Sequence, residues 1–265
     1  MFLIRRDETM KSGISMSFLI GLLAGIFGGL VGVGGGVVMI PLMVGTMKTG
    51  QLRAHGTSLV VLVFTGLAGS VTYALKGSVD IVASALLATT AIFTARTGAR
   101  YAHALPEWKL KRSFGGFLII VSFLLLSKPY LIQHHGPLFG WVKVSVLFMT
   151  GALTGFLSGM MGVGGGTIMV PAMVLLLGMD QHTAQGSSLL AMVPAGAAGA
   201  YTHSRLGNVD VNLLAGLIPG VLAGTFLGGS LAHALDEETL RVIFAAVLIW
   251  TGMRYLRTKR RKDEG

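Results

Sequence analysis

The chain of 265 residues is strongly apolar, since 52% of its residues are hydrophobic, only 12% are charged and its mean hydropathy is +0.73. A single soluble core could not hide so much apolar surface, so the composition excludes a water-soluble globular protein and predicts contact with a lipid bilayer. A net charge of +10 could suggest nucleic acid, but basic residues of membrane proteins collect in cytoplasmic loops, so no nucleic-acid partner is expected. Cysteine is absent, which excludes disulfides and thiol chemistry.

Ten apolar segments follow one another along the chain, five in each half. Residues 1–13 carry charges without a cleavage signature, which predicts a retained cytoplasmic N-terminus. The segments are predicted at 12–31, 34–47, 56–76, 79–100 and 112–127, and then at 141–161, 164–178, 186–203, 209–233 and 239–257. An extracytoplasmic linker at 128–140 and a basic cytoplasmic tail at 258–265 complete the chain.

The two halves are copies of each other. GVGGGVVMIP at 32–41 recurs as GVGGGTIMVP at 162–171, and nearly half of the positions from 32 to 80 are identical to those 130 residues later. This match without gaps indicates an internal duplication, with repeat 1 at 14–127 and repeat 2 at 141–257. Small-xxx-small ladders of glycine, predicted to pack helices closely, also occur in both repeats, at Gly21, Gly25 and Gly29 and at Gly151, Gly155 and Gly159.

An odd number of segments in each repeat makes the two repeats point in opposite directions. With the N-terminus in the cytoplasm, most basic residues fall inside, including the cluster from Arg96 to Arg112 and the run from Arg254 to Lys262. A four-segment repeat would place the first of these clusters outside. The sequence therefore predicts an all-α polytopic membrane protein of two inverted-topology repeats with both termini cytoplasmic. Ten spans and six spans plus two hairpins both satisfy this test, because the second segment of each repeat is short for a span.

The glycine run that opens the second segment interrupts a helix in each repeat. Non-helical backbone at membrane depth is tolerated only where protein buries it or where it lines a cavity. A helix beginning just after the run would point unpaired N–H groups and the positive end of its dipole into that cavity, which favours a bound anion. The predicted backbone cradle consists of Gly34, Gly35, Gly36, Gly164, Gly165 and Gly166.

A second repeated element, AHGTS at 54–58 and AQGSS at 184–188, is predicted to start the third segment of each repeat. Its hydroxyl groups could cap the helix or donate to a bound oxyanion without the cost of a buried charge, and the sequence does not decide between the two. The candidate residues are Thr57, Ser58, Ser187 and Ser188.

Asp80 and Asp210 open the fourth segments after Gly-Ser-Val and Gly-Asn-Val. Their position at a segment start favours helix capping over proton coupling. His203 shares its repeat position with Tyr73 and is a further candidate for proton coupling, although a histidine near a membrane interface can simply be hydrated.

The GVGGG-xxx-[IV]-P motif, the [HQ]-G-[TS]-S element and the G-x-V-D loop, each present twice, together resemble the sulfite exporter TauE/SafE family of membrane permeases over residues 14–255. The resemblance implies transport of sulfite, thiosulfate or an organosulfonate across the bacterial cytoplasmic (inner) membrane, with no cofactor and with homo-oligomers possible. The residues alone indicate only a small anion at helix N-termini.

Other classes of function remain to be weighed. An anion-selective channel, or a transporter of a different small anion, could use the same glycine cradle, and only transport against a gradient separates a carrier from a channel. An intramembrane serine protease would need a Gly-x-Ser-Gly setting, whereas Phe156 stands where the first glycine before Ser158 should be. No enzyme activity is therefore expected.

Overall fold

The computed structural model describes residues 2–102, 107–127 and 140–258, and within these residues the fold is entirely helical. This confirms the predicted all-α class. The predicted linker and tail, apart from Gly140 and Thr258, lie outside the described residues. The helices of the described part are α1 (Phe2–Val31), α2 (Gly36–Thr46), α3 (Gln51–Ala74), α4 (Ile81–Tyr101), α5 (Glu107–Leu126), α6 (Trp141–Met161), α7 (Gly166–Leu176), α8 (Gln181–Arg205), α9 (Val211–Ala232) and α10 (Glu237–Leu256).

Helix length decides which segments could cross a bilayer. In the described part of the chain, α1, α3, α4, α6, α9 and α10 are long and apolar enough to do so. Helices α2 and α7 have 11 residues each. At 1.5 Å per residue each is about 16 Å long, roughly half of the hydrocarbon thickness. Ten full spans are therefore not formed.

Helix α2 folds back along α1, so the glycine run forms the tip of a hairpin. A Cβ atom added to Gly35 would lie 2.5 Å from the carbonyl oxygen of Ala24. Farther along, the Ser17 hydroxyl lies 3.6 Å from the sulfur of Met47. Residues with higher numbers in α2 thus lie beside residues with lower numbers in α1, so the two helices are antiparallel.

The closest helix pairs join one repeat to the other. Helix α1 packs along α9, and the equivalent pair is α6 along α4. The glycine ladders sit in these interfaces, as predicted: Gly21, Gly25 and Gly29 face Leu217, Val221 and Thr225, while Gly151, Gly155 and Gly159 face Leu87, Ala91 and Ala95. Residue numbers rise together in both sets, so both pairs are parallel. Glycine is needed here because a Cβ would collide with the backbone of the facing helix.

Helices α3 and α8, which are equivalent in the two repeats, pack together in opposite directions. The Asp210 amide, which follows the end of α8, donates to Thr57 near the start of α3 at 2.9 Å. The Asp80 amide, which follows the end of α3, donates to Ser187 near the start of α8 at 2.8 Å. The start of each helix therefore lies beside the end of the other. The orientation of whole repeats across a bilayer stays a prediction.

Four predicted helix starts are wrong. Helix α1 begins at Phe2 instead of 12, α3 at Gln51 instead of 56, α5 at Glu107 instead of 112, and α8 at Gln181 instead of 186. The N-cap of α3 is Gly50, and that of α8 is Asp180, whose side chain accepts from the Thr183 amide at 2.9 Å. The polar stretches before AHGTS and AQGSS thus form a first helical turn. The interpretation as helix caps is accordingly wrong for Thr57, Ser58, Ser187 and Ser188.

Candidate functional site

The two glycine runs meet at the centre of the bundle. Gly34 and Gly164 have φ angles of 90° and 92°, a left-handed conformation that side chains rarely allow. A Cβ added to Gly36 would lie 2.5 Å from the carbonyl oxygen of Gly162, and one added to Gly166 would collide with the backbone at residue 32. The predicted cradle residues of both repeats are therefore brought together, each run packed against the other.

The N-terminus of α2 presents backbone donors. The amides of Val38 and Met39 donate to the carbonyl of Gly35 at 3.1 and 3.0 Å. Within the described residues, the structure gives no hydrogen-bond acceptor for the amides of Gly36 and Val37. Such unpaired amides, at the positive end of the helix dipole, attract negative charge.

A cavity of about 400 Å³ opens from this helix end towards one end of the bundle. Its innermost lining includes Gly36 and Val37, its wall includes Gln51, and its rim carries the half-buried Lys111 and the exposed Arg254. None of its described lining residues is acidic. The volume lies in the range of ligand pockets and leaves room for a small oxyanion with about ten water molecules. Both the backbone and the rim therefore favour an anion over a cation.

The predicted hydroxyl donors Ser58 and Ser188 brace the glycine runs of the opposite repeat. Ser58 donates to the carbonyl of Gly162 at 2.7 Å, and Ser188 donates to that of Gly32 at 2.8 Å. Both side chains are fully buried. Each hydroxyl has one proton, which the glycine carbonyl shares with a carbonyl of the serine's own helix, that of His55 for Ser58 at 2.8 Å and that of Gln185 for Ser188 at 2.9 Å. The two serines therefore position the cradle, and direct donation to an anion stays a prediction.

Alanine at these serines is expected to destabilise the protein. Ser58→Ala and Ser188→Ala each remove the donor of a buried carbonyl between the repeats, which costs about 1–2 kcal/mol. The Tm of the purified protein in detergent should fall by several degrees. Ser122→Ala is the matched control, because that buried hydroxyl donates only within its own helix, to Leu118. An unchanged Tm combined with weaker anion transport would instead assign Ser58 as a direct ligand.

Thr57 and Ser187 act on helices α9 and α4 instead of their own. Their hydroxyl oxygens accept the amides of Asp210 and Asp80, the residues that cap those helices. The Asp80 carboxylate accepts from the Ala83 amide at 2.9 Å, and that of Asp210 accepts from the Asn212 amide at 3.2 Å. The predicted capping role of both aspartates is thus present in the structure, and their role in proton coupling stays untested.

Asparagine at Asp80 is expected to preserve both stability and transport. Asparagine caps helices as well as aspartate does, whereas alanine costs about 1 kcal/mol. The Lys143 ammonium lies 3.7 Å from the Asp80 carboxylate, but both side chains are partly exposed and such pairs contribute little. The pH profile of uptake and the Tm should match the parent in Asp80→Asn, and the Tm alone should fall in Asp80→Ala. A flattened pH profile in Asp80→Asn would instead show that the carboxylate carries a coupled proton.

His203 is fully buried, so it is not a hydrated interfacial residue. Its Nε2 lies 3.0 Å from the carbonyl oxygen of Gly159. At the equivalent place the Tyr73 hydroxyl donates to the carbonyl of Gly29 at 2.9 Å. Both side chains tie a central helix to the glycine ladder of the neighbouring one. Proton coupling at His203 stays a prediction.

Sequence reasoning missed the polar cavity residues Gln51, Lys111, Arg254, Tyr255 and Thr258. The two cations were interpreted only as markers of the cytoplasmic side, because they are far from the glycine run in sequence. Gln51 carried a usable signal, since Gln181 repeats it exactly 130 residues later.

The bundle includes several helices long enough to cross a membrane, and its two broken helices meet beside a central pocket. These features define a multi-pass membrane protein of the kind that holds small ligands between half-helices. The chain belongs to the sulfite exporter TauE/SafE family, whose family model matches residues 16–255. It is therefore a membrane transporter, as the repeated motifs predicted, and that class is not one of enzymes.

Two relatives match nearly the whole chain, and a third matches less than half of it. A probable membrane transporter protein, YunE of Bacillus subtilis, is 30% identical over 267 residues, covering 91% of this chain and 98% of the relative. A probable membrane transporter protein of Xylella fastidiosa is 30% identical over 248 residues, covering 91% of each. The sulfite exporter TauE/SafE family protein 5 of Arabidopsis thaliana is 29% identical over 120 residues, 43% of this chain and 26% of the relative. No solved structure matches.

Proposed function

We propose that this transporter is a secondary carrier of a small sulfur-containing oxyanion, such as sulfite, thiosulfate or an organosulfonate. The observation that carries the proposal is the cavity at the N-terminus of α2, where the unpaired amides of Gly36 and Val37 lie below a rim bearing Lys111 and Arg254. Oxygens of such anions accept hydrogen bonds from backbone amides, so no buried countercharge is required.

A carrier is favoured over a channel because, among the described residues, the cavity opens at one end of the bundle. Gln181, which is equivalent to Gln51, is fully buried at the other end. A continuous pore would expose both. We place the protein in the bacterial inner membrane with both termini in the cytoplasm. The open rim then faces the cytoplasm, because it carries basic residues.

The test is flux into liposomes that contain the purified protein, with radiolabelled sulfite, thiosulfate and sulfoacetate each supplied against sulfate, phosphate and chloride as competitors. Accumulation of a sulfur oxyanion above its external concentration, driven by an imposed proton or ion gradient, is expected. Flux that only dissipates the anion gradient would identify a channel. A protein that moves phosphate or chloride but none of the sulfur anions would overturn the assignment of the substrate.

A further inference from the structure

The second repeat contains a counterpart of the cavity wall, but in a closed form. Shifting the cavity residues Val37, Gln51 and His55 by the repeat length of 130 gives Thr167, Gln181 and Gln185. Gln181 is fully buried whereas Gln51 is half-buried, and Thr167 and Gln185 are as buried as Val37 and His55 are in the open cavity. Because α3 and α8 are antiparallel, this set lies towards the end of the bundle opposite to the open rim.

Two positions that line the open cavity carry leucine at their equivalents in the other repeat. Tyr255, which lines the open cavity, is replaced at its equivalent position by Leu125, which is fully buried. Gly45 is replaced by Leu175, which packs against the core. The second repeat thus carries an aliphatic side chain where the first has a phenol, and a leucine where the first has glycine, whereas the polar groups at 167, 181 and 185 have been kept.

These buried polar groups lack partners within the described residues. Neither side-chain atom of Gln181 has a hydrogen bond, and neither has the Oγ1 of Thr167 or the Nε2 of Gln185. The Oε1 of Gln185, in contrast, lies 2.7 Å from the Tyr73 hydroxyl, whose single proton it shares with the carbonyl of Gly29. Burying an amide or hydroxyl without a partner costs free energy, so a purely structural core would favour leucine or valine at these places.

Their geometry matches a ligand site beside a helix end. Gln181 and Gln185 are one turn apart on the same face of α8, and Thr167 is in the first turn of α7, which packs against α8. Within the described residues, the amides of Gly166 and Thr167 also have no hydrogen-bond acceptor, as at the equivalent end of α2. Amide and hydroxyl donors around a helix N-terminus are chemistry for an oxyanion.

We infer that Thr167, Gln181 and Gln185 line a second vestibule, which opens at the bundle end opposite to Lys111 and Arg254 and there binds the same class of small oxyanion through neutral donors. This inference rests on the proposed function as a carrier. The structure holds the vestibule closed while the first one is open. When this end of the bundle opens, the three groups gain their partners from water or from the anion.

The first experiment measures exposure of Gln181 without reference to substrate identity. The chain has no native cysteine, so Gln181→Cys and Gln51→Cys are single-cysteine variants. Each is labelled in sealed, oriented vesicles by a membrane-impermeant maleimide added to one side at a time. Gln51→Cys should react from one side, and Gln181→Cys more slowly and from the other side. The inference would be overturned if both cysteines were labelled from the same side. It would also be overturned if Gln181→Cys, in a protein shown to be folded, were not labelled under any imposed ion or substrate gradient.

A substrate effect is tested in the same vesicles with an organosulfonate, because sulfite itself adds to maleimides. An organosulfonate gradient that drives turnover should change the rate of labelling at Gln181→Cys by several-fold. If the parent protein moves no sulfur anion yet both cysteines react from opposite sides, the substrate assignment fails while the second vestibule stands.

The second experiment separates a ligand role from a packing role. Gln181→Leu removes the unpaired amide and is nearly isosteric, so the Tm should rise by a few degrees while uptake falls at least tenfold, because the closed conformation is favoured. Thr225→Val is the matched control, since its buried hydroxyl is also unpartnered but faces the glycines of α1 and α3. It should raise the Tm and leave uptake unchanged. Full uptake in Gln181→Leu would overturn the inference.

Discussion

Replacing Val37 with aspartate is expected to abolish anion transport while the protein remains folded. Val37 is in the first turn of α2 and lines the cavity. A carboxylate there binds the positive helix end in place of the substrate, and acidic residues in a first turn stabilise helices by about 0.3–1 kcal/mol. Two like charges about 4 Å apart repel by roughly 4 kcal/mol at an effective dielectric constant near 20, so uptake should fall by about 100-fold or more.

Two matched variants isolate the charge. Val37→Asn has nearly the same size as the aspartate variant but is neutral, and Val37→Thr places the residue that the second repeat already has at 167. Both should retain uptake within about threefold of the parent, which is the scatter expected of polar substitutions in a hydrated pocket. Uptake of labelled anion, size-exclusion profiles and Tm are measured for all three. Equal uptake by the aspartate and asparagine variants would remove the α2 N-terminus as the site.

Neutralising the cavity rim is expected to weaken binding without stopping turnover. The double variant Lys111→Gln with Arg254→Gln removes both rim cations, which raise the local anion concentration. The KM for the transported anion should rise about tenfold, the maximal rate should change little, and the dependence of KM on ionic strength should largely disappear.

The control for this variant is Lys143→Gln, which removes a cation from the opposite end of the bundle, where Lys143 pairs with Asp80. When the anion is supplied on the side of the open rim, the KM of Lys143→Gln should equal that of the parent protein. If Lys143→Gln raises KM as much as the rim variant does, the effect reflects overall protein charge and not the cavity.

The helix breaks were predictable because they follow from local chemistry. Consecutive glycines resist a helix wherever they occur, and Gly34 and Gly164 indeed adopt φ angles that other residues avoid. The duplication was equally visible, since it needs only a comparison of the chain with itself. Which helices pack together was not predictable, because the pairing of α1 with α9 depends on contacts about 200 residues apart along the chain.

The starts of α3 and α8 were misplaced for a related reason. Gln51 and Gln181 are polar, so apolarity alone excludes them from a membrane segment, yet one lines a cavity and the other is buried inside the bundle. The place of a polar residue inside a membrane protein depends on its tertiary contacts, which the local sequence does not show. The serines show the same limit: Ser58 looked like an anion donor until its partner, Gly162, was seen in the opposite repeat.

The parallel pairing of α1 with α9 also bears on how far each repeat depends on the other. Within one repeat α1 folds back into α2, and α3 and α4 follow, so the glycine ladder of α1 has no parallel partner of its own; that partner is the α4 equivalent of the other repeat. Either repeat alone would leave its glycine ladder without this partner. The two halves of the chain therefore depend on each other for their most extensive helix contacts.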